Sequence, residues 1–325
     1  MHRRGKTLLT TIILLAIFHA TAGFAQKYPD RPVKIIVPSG AGGGYDLMAR
    51  ALGRKLTEQM NESFFVENRV GAGTIVGTEA AAKAPSDGYT LVVGGPSNMV
   101  FNAGLYKNLP YDAGRDFVAV NLVVTQPYTL VARSDLPYAN VTQLIEAIKK
   151  SPGKLVIATA GAGTGQHLGA VFFMKTTGTD MLVVHYKSAQ QVLPDLVSGR
   201  VDLTVDTLGS VRPQIDAGKV KLIAMASSNR TPLYPQVPTV RESGYPDFAV
   251  ESWIGLFAQT RTPAPALERL RTEIERAMKM ADFRAQMEGN GAQMIAMSGR
   301  ESETFVKAEI ARWTPLIKQA GITAD

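Results

Sequence analysis

The chain has 325 residues, 45 % of them apolar and 19 % charged. That balance suits a globular protein large enough for more than one core, and excludes collagen-like, coiled-coil and disordered chains. With no cysteine, disulfides, thiolate metal sites and cysteine nucleophiles are impossible. The formal charge of +7 is spread along the chain. No basic run carries interleaved aromatics, so nucleic acid is not an expected partner.

The first 25 residues read as a secretory signal peptide. His2, Arg3, Arg4 and Lys6 form a basic head, residues 8–20 an apolar stretch, and Gly23-Phe24-Ala25 a small-residue cleavage site. The apolar stretch is short for a membrane span of about 20 residues. Cleavage near Ala25 implies a periplasmic protein. It removes Arg3, Arg4 and Lys6, which takes the charge from +7 to +4, a mild excess that attracts anions. His167 and His185 are then the remaining histidines. Their spacing is not that of a zinc site, and neither a metal nor a cofactor is expected.

Strand-like and helical patterns then alternate. Residues 33–37 read as a strand and 46–60 as a helix with Leu47, Ala51, Leu52 and Leu56 on one face. A strand at 64–67, a helix at 74–83 and a strand at 89–93 follow. Two extended runs, 117–124 and 128–132, are separated only by Thr125-Gln126-Pro127 and can carry the chain into a second lobe. There Asn140 caps a helix bearing Val141, Leu144, Ile145 and Ile148. Strands at 154–159, 182–185, 201–206 and 221–226 alternate with helices from 164, at 189–198 and at 210–217. Residues 230–247 are rich in proline and polar side chains, and the run 252–257 leads back. Helices at 267–280 and 302–319 close the chain, the latter with Phe305, Ala308, Trp313, Leu316 and Ile317 as its expected buried side.

This alternation predicts an α/β protein with two mainly parallel sheets, each flanked by helices, and a ligand cleft between the lobes. Lobe one is expected at 27–125 plus 248–325, and lobe two at 126–247.

One unit occurs in both lobes. Lys34-Ile35-Ile36-Val37 runs into Ser39-Gly40-Ala41-Gly42-Gly43-Gly44 and a helix. Leu155-Val156-Ile157 runs into Ala160-Gly161-Ala162-Gly163-Thr164-Gly165 and a helix. A helix N-terminus offers unpaired N–H groups and partial positive charge, and glycine permits close approach, so such a unit binds anions without a basic side chain. Enzymatic readings fail on the residues. Tyr45 and Gln166 stand where a dinucleotide fingerprint requires glycine, neither loop ends in Gly-Lys-Ser/Thr, and no Gly-x-Ser-x-Gly elbow occurs. The chain is not expected to be an enzyme.

Motifs along the mature chain resemble one family in order. They include Tyr28-Pro29-Asp30-Arg31-Pro32-Val33, Ala41-Gly42-Gly43-Gly44-Tyr45-Asp46, Val66-Glu67-Asn68-Arg69, Asp87-Gly88-Tyr89-Thr90-Leu91 and Leu109-Pro110-Tyr111-Asp112. Tyr186-Lys187, Gly199-Arg200-Val201-Asp202-Leu203, Val237-Pro238-Thr239-Val240 and Trp253-x-Gly255-Leu256 continue the match. The chain thus resembles the tripartite tricarboxylate transporter receptors, or Bug proteins. That resemblance implies a two-lobed periplasmic binding protein of type II-like fold. The implied ligand is a small carboxylate, a dicarboxylate or an aromatic acid. It implies a monomer that delivers this ligand to membrane transporter subunits, or alternatively presents it to a sensor kinase.

The implied ligand-binding residues are Ser39, Gly42, Gly43 and Tyr45 in the first loop, and Gly163, Thr164, Gly165 and His167 in the second. Tyr186, Asp206 and Thr207 complete the set. Thr164 is the expected hydroxyl donor. Asp46, an acid at a helix start, is expected to cap backbone rather than face a carboxylate. Asp206 repels a bare carboxylate and can accept from a ligand hydroxyl, an amine or a bridging water. Gly71-Ala72-Gly73 are read first as a turn and second as a cleft wall, and Trp253 as hinge packing. Ser39-Gly40, Tyr45 and Ser97-Asn98-Met99 depart from the family's common residues, which bears on the ligand's size and shape.

Overall fold

The computed structural model describes residues 28–319 together with 322 and 323, without the side chains of Leu316 and Gln319. The expected signal peptide lies outside the described residues.

Lobe one is built on β1 (Val33–Val37), β2 (Phe64–Asn68) and β3 (Thr90–Gly94), with β1 parallel to both others. Period-2 alternation decides what each strand buries. Val33, Ile35 and Val37 of β1 face a core that includes Met48, Leu52 and Leu56 of helix α1 (Gly44–Met60) and Leu270 and Ile274 of α9 (Ala264–Lys279). Ile36 faces the opposite core, with Val92, Val100, Leu122 and Phe257. Helix α2 (Ile75–Ala82) and helix α11 (Gly299–Gln319) lie on that second face. Along α11, Ser302, Val306 and Ile317 are buried, whereas Ala308, expected inside, is exposed. Two residues on from Val306 turns the helix by about 200°, onto the solvent side.

The passage between lobes differs from the two short runs expected. Residues Phe117–Arg133 form one 17-residue strand, β4. Its first part pairs with β9 (Glu251–Gln259), from Phe117↔Gln259 to Pro127↔Glu251. From Tyr128 it pairs with β7 (Leu203–Thr207), Tyr128 opposite Thr207, and with β8 (Val220–Met225). Pro127 interrupts neither sheet because it sits where one set of partners hands over to the other. Lobe two adds β5 (Val156–Thr159), parallel to β6 (Leu182–His185) and β7. Helices α5 (Val141–Lys150), α6 (Gly165–Thr177), α7 (Ala189–Val197) and α8 (Leu208–Asp216) surround it.

The sheets are consequently mixed. The pairings made by β-α-β connections are parallel, and those made by β4 and β9, which run between lobes, are antiparallel. Short α3 (Asn102–Leu105) and α4 (Ala113–Asp116), helix α10 (Ala281–Gly289), strand β10 (Gln293–Met294) and a π-helical turn at Ser97–Phe101 carry too little periodicity to be read from sequence.

Candidate functional site

The lobes face each other across a cleft of about 650 Å³, part of it open to solvent. It is lined by the starts of several helices. Gly43, Gly44 and Tyr45 come from α1, Thr164 and Gln166 from α6, Ser188, Ala189 and Gln190 from α7, and Thr207 and Ser210 from α8. Each helix follows a strand, so the β-α connections of both lobes point the same ends of their helices inward. Among the described lining residues, Lys187 is the one basic side chain and Asp206 the one acidic. The potential in the cleft therefore comes mainly from backbone dipoles.

The first glycine loop leaves the first-turn amides of α1 free. Gly43, the N-cap of α1, makes no side-chain cap hydrogen bond. The amides of Gly44, Tyr45 and Asp46 have no partner among the described residues. Asp46, placed to compete for them, is turned away. Its carboxylate accepts from the Gly42 amide at 2.9 Å, from Arg50 Nε at 2.9 Å and from Asn68 Nδ2 at 2.9 Å. Burial raises its pKa, but the Arg50, Gly42 and Asn68 bonds prevail and hold it below the usual carboxylate range. Gly42, at φ +79°, makes the left-handed turn that brings its N–H to Asp46. Tyr45 lines the cleft with its phenol beside Gly95 and Ser97. Burial, first of all, pushes that phenol well above its ordinary pKa.

The second loop is mostly committed to itself and to the other lobe. The Gly163 amide donates to His167 Nδ1 at 3.2 Å, and the His167 amide to Thr164 Oγ1 at 3.3 Å. The Thr164 hydroxyl donates to Gly161 O at 2.7 Å, so its proton is not directed to a ligand. The Gly165 amide donates to Ser97 Oγ of lobe one at 2.8 Å. Thr164 lines the cleft; Gly163, Gly165 and His167 stand behind it. His167 stacks edge-on with His185 at 4.7 Å. Burial, then His185, lower its pKa to about 4, which keeps it neutral at pH 7. The hydroxyl of Tyr186 donates to Asp195 at 2.6 Å, away from the cleft.

Of the expected residues, then, Ser39, Gly43, Tyr45, Thr164, Asp206 and Thr207 meet in the lining, while Gly42, Gly163, Gly165, His167 and Tyr186 do not. Sequence reasoning missed Tyr128, Ser188, Gln190, Ser210 and Ser252. A readable signal existed for one of them. Ser188 ends a strand-to-helix turn as an N-cap, as the expected Thr207 does, the same unit as the loops but without glycine.

Contacts across the cleft hold the lobes together. Tyr106 Oη donates to Ala162 O at 3.1 Å. A side chain at Gly40 would meet Gln190 Oε1 at 2.8 Å and Ser188 Cβ at 2.9 Å, and one at Gly73 would strike Ala162 O. Small residues at these two positions are what permit the lobes to meet.

Two lobes hinged on paired crossover strands, with a polar cleft between them, define a periplasmic binding protein fold. The sequence carries the assignment further. Residues 48–322 match the model of the "Tripartite tricarboxylate transporter family receptor", and the chain belongs to that family. A relative from Pseudomonas sp. (strain P51), "UPF0065 protein in tcbD-tcbE intergenic region", is 36 % identical over 99 % of this chain and 96 % of its own. Three solved structures are similar throughout. Periplasmic binding protein BugD is 34 % identical, with TM-score 0.87, covering 91 % of this chain and 99 % of its own. The R. palustris protein Rpa4515 with adipate is 31 % identical, with TM-score 0.87 and coverage of 91 % and 99 %. MatC of Rhodopseudomonas palustris with bound malate is 30 % identical, with TM-score 0.85 and coverage of 89 % and 100 %.

Proposed function

We propose that this chain is an exported receptor that closes on a small carboxylate and delivers it to the membrane subunits of a tripartite transporter. One observation carries the ligand reading. Uncapped helix N-termini from both lobes converge on a cleft with a single basic side chain, so an anion there is met by N–H groups rather than by ion pairs. Adipate and malate, present with two similar proteins, support the class. Export rests on the signal-peptide pattern of residues 1–25 and on the periplasmic location of similar proteins.

In this reading the Gly44, Tyr45 and Asp46 amides hold one carboxylate, and the α7 and α8 starts face it from lobe two. The lobes are taken as 27–125 with 248–325, and 126–247. Thermal melting against mono-, di- and aromatic carboxylates tests the reading. Ligand at 100 times its dissociation constant adds about 2.7 kcal/mol of stability. Shifts with sugars or cations and none with any carboxylate overturn it. Retention of a transporter subunit from solubilised membranes supports delivery, and retention of a kinase replaces it with sensing.

A further inference from the structure

Given a carboxylate held at the helix N-termini, Asp206 limits what the rest of that molecule can be. Asp206 ends β7, lines the cleft, and is only 1 % exposed. Its hydrogen bonds from the Thr207 amide, at 2.7 Å, and from Gln166 Nε2, at 3.1 Å, both end on Oδ1. The Thr207 hydroxyl stands beside the carboxyl, but among the described residues no N–H reaches Oδ2. No arginine or lysine pairs with this carboxylate; Lys187, in the same lining, is exposed and forms no ion pair with it. Tyr128 and Ser252 border the same space. Burial raises the carboxyl to about 6, so at neutral pH it is mostly an anion.

An uncompensated buried carboxylate discriminates by what faces it. A second carboxylate brings like charge with no cation between the two. A methylene brings no donor to a buried carboxylate that no cation balances. A hydroxyl or ammonium group donates to it, and the bond is charge-assisted. We propose that Asp206 is the specificity-determining residue of the cleft, selecting carboxylates that carry a hydroxyl or ammonium donor over otherwise identical acids that lack one. The selection follows the asymmetry of the site: N–H groups at helix starts from both lobes, and one carboxylate, Asp206, facing the same space.

Calorimetric titration of the purified protein with matched series tests this. The series are succinate, malate and aspartate; glutarate, 2-hydroxyglutarate and glutamate; propionate, lactate and alanine; and phenylacetate, mandelate and phenylglycine. In any series that binds, the better donor-bearing acid binds at least about tenfold more tightly than its donor-free partner. Comparing its hydroxyl and ammonium members decides which donor the site takes. In Asp206→Asn that ratio falls to about threefold or less. Donor-free acids binding as tightly as their partners in the wild type overturn the proposal, and so does a ratio that survives Asp206→Asn. The wild-type ratios decide the matter even if the variant fails to fold. Failure of every carboxylate to bind defeats the carboxylate reading itself, a result distinct from binding without discrimination.

Discussion

The two glycine-rich loops begin from nearly the same local pattern and end with different jobs. In the first, Asp46 is drawn off by Arg50, Asn68 and the Gly42 amide, and the first-turn amides of α1 stay open to the cleft. In the second, the His167 and Thr164 side chains fold back on the loop, and the Gly165 amide crosses to Ser97. One loop keeps its first-turn amides open to the cleft, and the other commits its own within the loop and across the lobes. A glycine-rich turn before a helix therefore specifies available N–H groups, and the neighbouring side chains decide who receives them.

The largest effect is expected at Gly40, where loop one meets lobe two. In Gly40→Val the new side chain collides with Gln190 and Ser188, so the closed form becomes rare. If its population falls to about one in a hundred, apparent affinity falls about 100-fold. Titration measures the affinity, and small-angle scattering with ligand checks that the particle no longer contracts. An unchanged affinity would mean that closure over loop one is not part of binding.

Asp206, on the lobe-two side of the cleft, comes next. Its folded pKa of about 6 lies above the ordinary 3.8. The folded chain therefore holds this proton more tightly, and the stabilisation present at low pH is lost as pH rises from about 4 through 6. His167 acts oppositely: its value of about 4 lies below the ordinary 6.5, so acidification through that window favours unfolding. Comparing Asp206→Asn with the wild type cancels the histidine. The variant should be more stable by about 3 kcal/mol at pH 7.5, and the advantage should vanish near pH 3.8. Denaturant titrations at both pH values give the difference. A less stable variant at pH 7.5 would make Asp206 an anchor of its loop instead.

Ser97→Ala sharpens the contrast between loops directly. It removes the acceptor for the Gly165 amide, weakening closure by about 1 kcal/mol, or about fivefold in affinity. A marked gain in affinity would mean that the released amide serves the ligand, and loop two would then be a clamp like loop one. The smallest effect belongs to Tyr186→Phe. Its bond to Asp195 lies outside the cleft, so ligand affinity should stay within about twofold and stability should fall by a few tenths of a kcal/mol.

Much of this architecture was legible in the chain because local periodicity reports local burial. Val33, Ile35 and Val37 against Ile36 divide two cores by the pleat alone. Asn140 stands where its side chain accepts from the Gln143 amide and starts α5. Ala308 was misplaced because a small residue carries little periodic signal, and its exposure depends on which turn of α11 meets the sheet. In sequence Pro127 resembles a break within β4, and only the strand's partners, β9 on one side and β7 with β8 on the other, make it continuous.

The sequence by itself determined most of the elements, the two-lobed class, the family, and the loops at which to seek ligand chemistry. These depend on residue types over short stretches and on motif order. Tertiary structure decided which amides remain free. Ser97 and Gly165 are 68 residues apart and Asp46 and Asn68 are 22 apart, and hydrogen bonds between such distant partners follow no local period. It also decided that the starts of α7 and α8 face the cleft with α1, and that Asp206 is buried there without a cation. Charge and desolvation act through space, so the chemistry of the cleft exists only once both lobes are in place.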